Sequence, residues 1–70
     1  MSDYQQALKQ LSEMIDYLKA HPSEDPETFD KEDDDIVRMT LQQRILLPND
    51  ATTIERIDRY YQKFFTEHQR

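Results

Sequence analysis

His21 stands three and four residues ahead of Glu24 and Asp25, which puts one ring nitrogen and two carboxylates within a short stretch. This is the chain's nearest approach to a transition-metal ligand set. A zinc-type site asks for three or four donors, usually with a second histidine or a cysteine among them. The other histidine, His68, lies at the far end of the sequence, and there is no cysteine. Calcium is the next chemistry to test, because carboxylates crowd the residues that follow. An EF-hand loop wants oxygen ligands at positions one, three and five, glycine at six and glutamate at twelve. Counted from Asp30, the first three are Asp30, Glu32 and Asp34, but the sixth is Asp35 and the twelfth is Leu41. The turn residue and the bidentate ligand are both missing, so a calcium loop is rejected. The carboxylates remain the right ligand type for loose divalent binding without the right spacing.

Catalysis finds as little support. Neither histidine has a serine at helical spacing, and the closely spaced carboxylates sit where no apolar wall would raise a pKa for acid–base work. A chain without glycine cannot build a glycine-rich phosphate loop, and one without cysteine has no thiol chemistry and no disulfide. The expectation is a protein that is not an enzyme, with no metal, cofactor or catalytic residue.

The carboxylates themselves are the stronger signal. The stretch SEDPETFDKEDDD, residues 23–35, holds eight of the fifteen acids and only Lys31 of the nine bases. The net charge of −6 therefore belongs to one segment, and the remainder is close to neutral. One reading is helix electrostatics. Asp33, Asp34 and Asp35 would occupy the first turn of a helix, where free N–H groups favour negative charge, and Asp34 would pair with Arg38. Glu24, Asp25, Glu27, Asp30 and Glu32 would then form a solvated, self-repelling loop.

A second reading is a docking surface for a protein with a basic face, with Glu24, Asp25, Glu27, Asp30, Glu32 and Asp33 as the contact residues. Clustered carboxylates speed encounter with positive patches. A third is mimicry of nucleic acid in the basic groove of a DNA- or RNA-handling protein, and a fourth is a structural subunit whose acidic loop maintains solubility. Direct nucleic-acid binding is set aside, since the bases are dispersed among acids and form no stripe.

Seventy residues bound what must position these groups. A chain of this size buries only roughly 60% of the surface its unfolded form exposes, so its core alone gives marginal stability. Without disulfides, a partner chain is the expected external support. Hydrophobic residues are 36% and charged residues 34%, but the apolar ones are grouped, which argues against disorder throughout. The longest apolar run is Ile45-Leu46-Leu47, far short of a membrane span, and the start lacks the basic and apolar regions of a signal peptide. The protein is expected to be soluble and cytoplasmic, and its size and simplicity suggest a bacterial or phage source.

The pattern predicts an all-α fold of three helices, near residues 3–20, 34–47 and 51–68, in one domain, with an acidic connector at 22–33. In the first helix, Tyr4, Ala7, Leu8, Leu11, Met14, Ile15 and Leu18 follow the i, i+3, i+4, i+7 rule. Ser2 and Gln5 fit a capping box, and Pro22 stops the helix near Ala20. In the third, Ile54, Ile57, Tyr61, Phe64 and Phe65 share a stripe, with Asp50 or Thr52 as cap. Tyr60 and Tyr17 sit at the edges of their stripes and are candidates for a binding surface. Asp25-Pro26 has the form of an N-cap and first helical residue, predicting a short turn to about Lys31 that Phe29 would pin to the core.

The second helix is two-sided. At 100° per residue, Ile36, Met39, Leu46 and Leu47 occupy one side and Val37, Leu41 and Ile45 the other. The expectation is a homodimer in which the Val37, Leu41 and Ile45 side meets a second copy; the competing arrangement is a flat layer in which the first and third helices sandwich the second.

Overall fold

The structure is a computed structural model and describes residues 3–68. Three helices follow in order: α1 over Asp3–Ala20, α2 over Pro26–Ile45 and α3 over Ala51–His68, with no strand among the described residues. The fold is all-α, as the periodicity predicts. The capping role of Ser2 and the side chain of His68 lie outside the described residues.

α1 is the central helix. It packs against both α2 and α3, whereas no Cα of α2 comes within 8 Å of one in α3 among the described residues. The reason is visible in the burial. α1 contributes Ala7, Gln10, Leu11, Met14, Ile15 and Leu18 to the interior, while α2 contributes Met39 alone from within the helix. Leu46, Ile57 and Phe64 complete the core, and Met14 at its centre has no exposed surface. The sandwich with the second helix in the middle is therefore corrected: the helix covered from two sides is the first. Its broad stripe, with the small Ala7 permitting close approach, serves two neighbours at once.

Polar links fix the same two interfaces. The buried Gln10 donates Nε2–H to Asp58 Oδ1 at 2.8 Å, and the Tyr61 hydroxyl donates to Glu13 at 2.6 Å. That bond, followed by partial burial and the Glu13 charge, raises the Tyr61 pKa above its ordinary 10.0, because the phenol must keep its proton to donate. On the other side of α1, Gln43 Nε2 donates to the Leu8 carbonyl at 3.3 Å.

The acidic connector is the main departure from expectation. α2 begins at Pro26, not Asp34, and only residues 21–25 link it to α1. Asp25 is the N-cap, with φ −78° and ψ 121°. Its carboxylate accepts from Glu27 N–H at 3.4 Å and from the Thr28 hydroxyl at 2.9 Å, and the first helical bond runs from Phe29 N–H to Asp25 O at 2.8 Å. The start signal at Asp25-Pro26 was real, and the helix simply continues through the acids. Like charges at i, i+4 cost only a few tenths of a kcal/mol each, and Lys31 stands four residues from both Glu27 and Asp35. Asp33, Asp34 and Asp35 consequently fall inside the helix, beyond the first-turn N–H groups, and the terminal role passes to Asp25 and Glu27. Phe29 remains 47% exposed and borders a surface hollow with Leu18 and Ile36 rather than being pinned in the core.

The helix ends also differ in kind from a glycine-based design. No described residue has positive φ. α2 stops at Ile45 because Leu46 turns extended, at φ −65° and ψ 130°, which drops its side chain into the core. Leu47, assigned to the inner side by its spacing, lies past the helix end and is 60% exposed. At the end of α1, the His21 N–H donates to Tyr17 O at 3.0 Å. His21 Nδ1 lies 3.1 Å from the same carbonyl, with the ring stacked on Tyr17 at 4.4 Å. His21 is thus a C-terminal cap.

α3 is capped by Asp50, whose carboxylate accepts from the Thr53 hydroxyl at 2.7 Å and the Thr53 N–H at 3.2 Å. These bonds, with a smaller contribution from Arg56, hold the Asp50 pKa below its ordinary 3.8. A depressed acid stabilises the fold above its unfolded value and loses that contribution as pH falls through the folded value. Asp50→Ala should therefore lower the melting temperature at neutral pH, and the gap to the parent should begin to narrow only as pH falls below the ordinary value of 3.8. The α2 cap makes a separate expectation. Asp25→Ala should cost about 1 kcal/mol in chemical denaturation, while Asp25→Asn, which keeps an accepting oxygen, should cost only a few tenths.

Candidate interaction surface

α2 shows two sides of different character. Ile36 is half-buried and Met39 is 7% exposed against α1, whereas Val37, Leu41 and Ile45 are 60%, 55% and 59% exposed. The two-sided pattern is real, and among the described residues the second side stays exposed.

Because the acidic residues are helical, they acquire a direction. At 100° per residue, Glu27, Asp30, Asp34, Val37, Leu41 and Ile45 all fall within a sector of about 80°. All six are exposed. They make a single outward row, acidic from Glu27 to Asp34 and apolar from Val37 to Ile45, running roughly 27 Å at 1.5 Å per residue. Arg44 flanks the apolar half on one edge. Arg38 flanks it on the other, its Nε 3.1 Å from Asp34 in an exposed i, i+4 pair.

The six carboxylates predicted to contact a partner separate into different roles. Glu27 and Asp30 lie in the outward row. Glu24 is exposed in the connector. Asp25 is committed to the α2 cap. Glu32 is half-buried and accepts from Ser23 N–H at 3.1 Å, tying the connector to α2. Asp33 turns toward a hollow of about 250 Å³ lined by Leu18, Phe29 and Ile36. The solvated loop of five carboxylates is accordingly corrected, since Glu27, Asp30 and Glu32 are helical and Asp25 and Glu32 are engaged by the fold. Asp34, assigned by its sequence position only to helix electrostatics, belongs to the row. Carrying the helical spacing back to Asp25-Pro26 would have found it.

The aromatic residues resolve differently. Tyr17 packs edge-on to Phe64 and Phe65, with centroids 5.7 and 5.6 Å away, and Phe65 meets Tyr61 at 4.9 Å. Tyr17 is part of the α1–α3 packing. Tyr60 is 46% exposed and lines a groove of about 410 Å³ between α2 and α3, with Asp35, Arg38 and Arg56. Partial burial, then the Asp35 and Glu67 charges, raise its pKa above 10.0.

Another concavity, of about 660 Å³, lies between the start of α1 and the start of α3. Two of its carboxylates are occupied: Glu55 pairs with Arg59 at 2.6 Å, and Asp58 accepts from Gln10 and Gln62. No group of three histidine, aspartate or glutamate side chains that could hold a metal ion occurs among the described residues. Among the described residues, no helix is long and apolar enough to cross a membrane.

The two sides of α2 should respond oppositely to substitution. Leu41→Lys should change stability by less than about 0.5 kcal/mol, because the side chain is already solvated. Met39→Ala should cost about 2–5 kcal/mol by opening the α1–α2 interface, enough to unfold much of a domain this small. Urea titration of both variants checks the assignment.

No family model, curated protein or solved structure matches the chain.

Proposed function

We propose that the chain is a non-enzymatic protein–protein interaction module, an adaptor, inhibitor or regulatory subunit, that docks a basic partner along the outward row of α2. The observation that carries this reading is the continuity of the carboxylates Glu27, Asp30 and Asp34 with the exposed Val37, Leu41 and Ile45 on one helical face. The two halves supply different parts of an interaction. Carboxylates on an open helix steer a positive surface into encounter, and apolar side chains that become buried on docking slow its escape.

Two other readings have support of their own. Mimicry of nucleic acid gains from the acids standing on a helix rather than a loop, with Glu27 to Asp30 rising about 4.5 Å and Asp30 to Asp34 about 6 Å. The apolar half has no counterpart on a phosphate backbone, which favours a protein contact of another kind. A structural subunit or homodimer would use the exposed Val37, Leu41 and Ile45 without needing the acids.

Capture from a source lysate separates them. Under the docking reading, a partner retained by the parent chain is released as salt rises, by screening of the acidic half. It should also be lost to an Asp30→Asn, Asp34→Asn variant and to Leu41→Lys. Displacement of that partner by duplex DNA or RNA would shift the reading to mimicry. Retention unchanged by salt and by both variants would overturn docking on this face.

A further inference from the structure

The row on α2 specifies more than a basic partner. Resting on the docking reading above, we infer that the partner element is an amphipathic helix lying antiparallel along α2, apolar in its N-terminal half and basic in its C-terminal half. A straight row of about 27 Å matches an extended rod better than a compact basic patch. Its charge order then fixes the occupant's sequence order.

Opposite Glu27, Asp30 and Asp34 the occupant needs lysine or arginine. Opposite Val37, Leu41 and Ile45 it needs apolar residues at spacings of three and four. Beside Arg44, whose guanidinium has no hydrogen bond or ion pair among the described residues, it needs an acid. Run parallel to α2, such a helix would carry its bases at its own N-terminus and its acid at its C-terminus, both opposed by its dipole. Run antiparallel, it carries the acid in its first turn and the bases in its last turns, where the dipole favours each. The same orientation sets the negative end of the occupant beside the positive end of α2.

A second copy of this chain meets these demands poorly. Its α2 is acidic in the N-terminal half, so parallel pairing sets carboxylates against carboxylates. Antiparallel pairing about Leu41 overlaps only residues 37–45, roughly 12 Å of helix, and leaves both acidic halves unmatched. The overlap offers on the order of a few hundred Å² per chain, against about 800 Å² per partner in a stable interface.

The test uses the full chain and a fluorescein-labelled synthetic peptide of about 20 residues, long enough to span the row at 1.5 Å per residue. The peptide carries glutamate in its first turn, leucines spaced three and four apart in its first half, and lysines in its last two turns. A second peptide has the same residues in reverse order. Fluorescence anisotropy should show the first binding at least about tenfold tighter, a difference of about 1.4 kcal/mol. Amide shifts should concentrate at Asp30, Asp34, Val37, Leu41 and Ile45, and Leu41→Lys should remove the preference.

Equal affinity for the two peptides, no binding of either, or shifts centred on α1 or α3 would overturn the inference. So would sedimentation of the peptide-free chain at the mass of two copies that reverts to one in Leu41→Lys. The docking reading fails separately, when lysate capture ignores both the Asp30→Asn, Asp34→Asn variant and Leu41→Lys.

Discussion

Everything in this fold hangs on the burial of α1. Ala7, Leu11, Met14, Ile15 and Leu18 are the surface on which the other two helices rest, and neither of those supports the other through its backbone. That arrangement is economical for a chain of 70 residues. One helix with a wide apolar stripe replaces the three mutually facing stripes of a closed bundle. The polar bonds Gln10–Asp58, Glu13–Tyr61 and Gln43–Leu8 fix how each neighbour sits against α1, since a pure leucine-and-methionine contact tolerates sliding. The cost is that α2 is held from one side only.

That one-sided support is what frees the outer row. In a bundle closed on all faces, a helix with apolar residues at Val37, Leu41 and Ile45 would have to turn them inward. Here the inner side is already filled by Ile36, Met39 and Leu46, all three packed on or against the core. The helix is fixed in rotation by its inner contacts and by the Gln43 bond, so its outer row has a defined direction. A surface held this way loses little freedom when something docks on it, which favours binding.

The parts legible in the sequence were those governed by a single period or a local cap. The α1 stripe, the stop before Pro22, a cap for α3 at Asp50 or Thr52 and the division of Val37, Leu41 and Ile45 from Ile36 and Met39 all follow from spacing and side-chain chemistry. The length of α2 did not. Twelve residues with Phe29 as the only large apolar group carry no periodic signal, and their charge density resembles a solvated linker. The deciding evidence was the Asp25-Pro26 start, a stereochemical cue that outweighs composition because a formed helix extends at little cost per residue. His21 was legible only as a ligand type. Its capping of Tyr17 O depends on where the chain turns, which spacing does not reveal. Likewise Tyr17 faces α3 because α1 is central, and no local pattern says which helix takes that place.

The composition of the outer row is hard to account for by folding alone. Asp30 and Asp34 are like charges one turn apart, the mid-helix position of Asp34 gains little from the helix terminus, and its exposed pair with Arg38 returns only a few tenths of a kcal/mol. Val37, Leu41 and Ile45 are β-branched or bulky side chains left in water, where lysine or glutamate would serve helix propensity and solubility better. Each departure is small. Together they are local choices that disagree with the fold's own needs while agreeing with one another in direction, since all point outward along one face. A partner docked along that face, as proposed above, would supply one requirement that all of these choices satisfy.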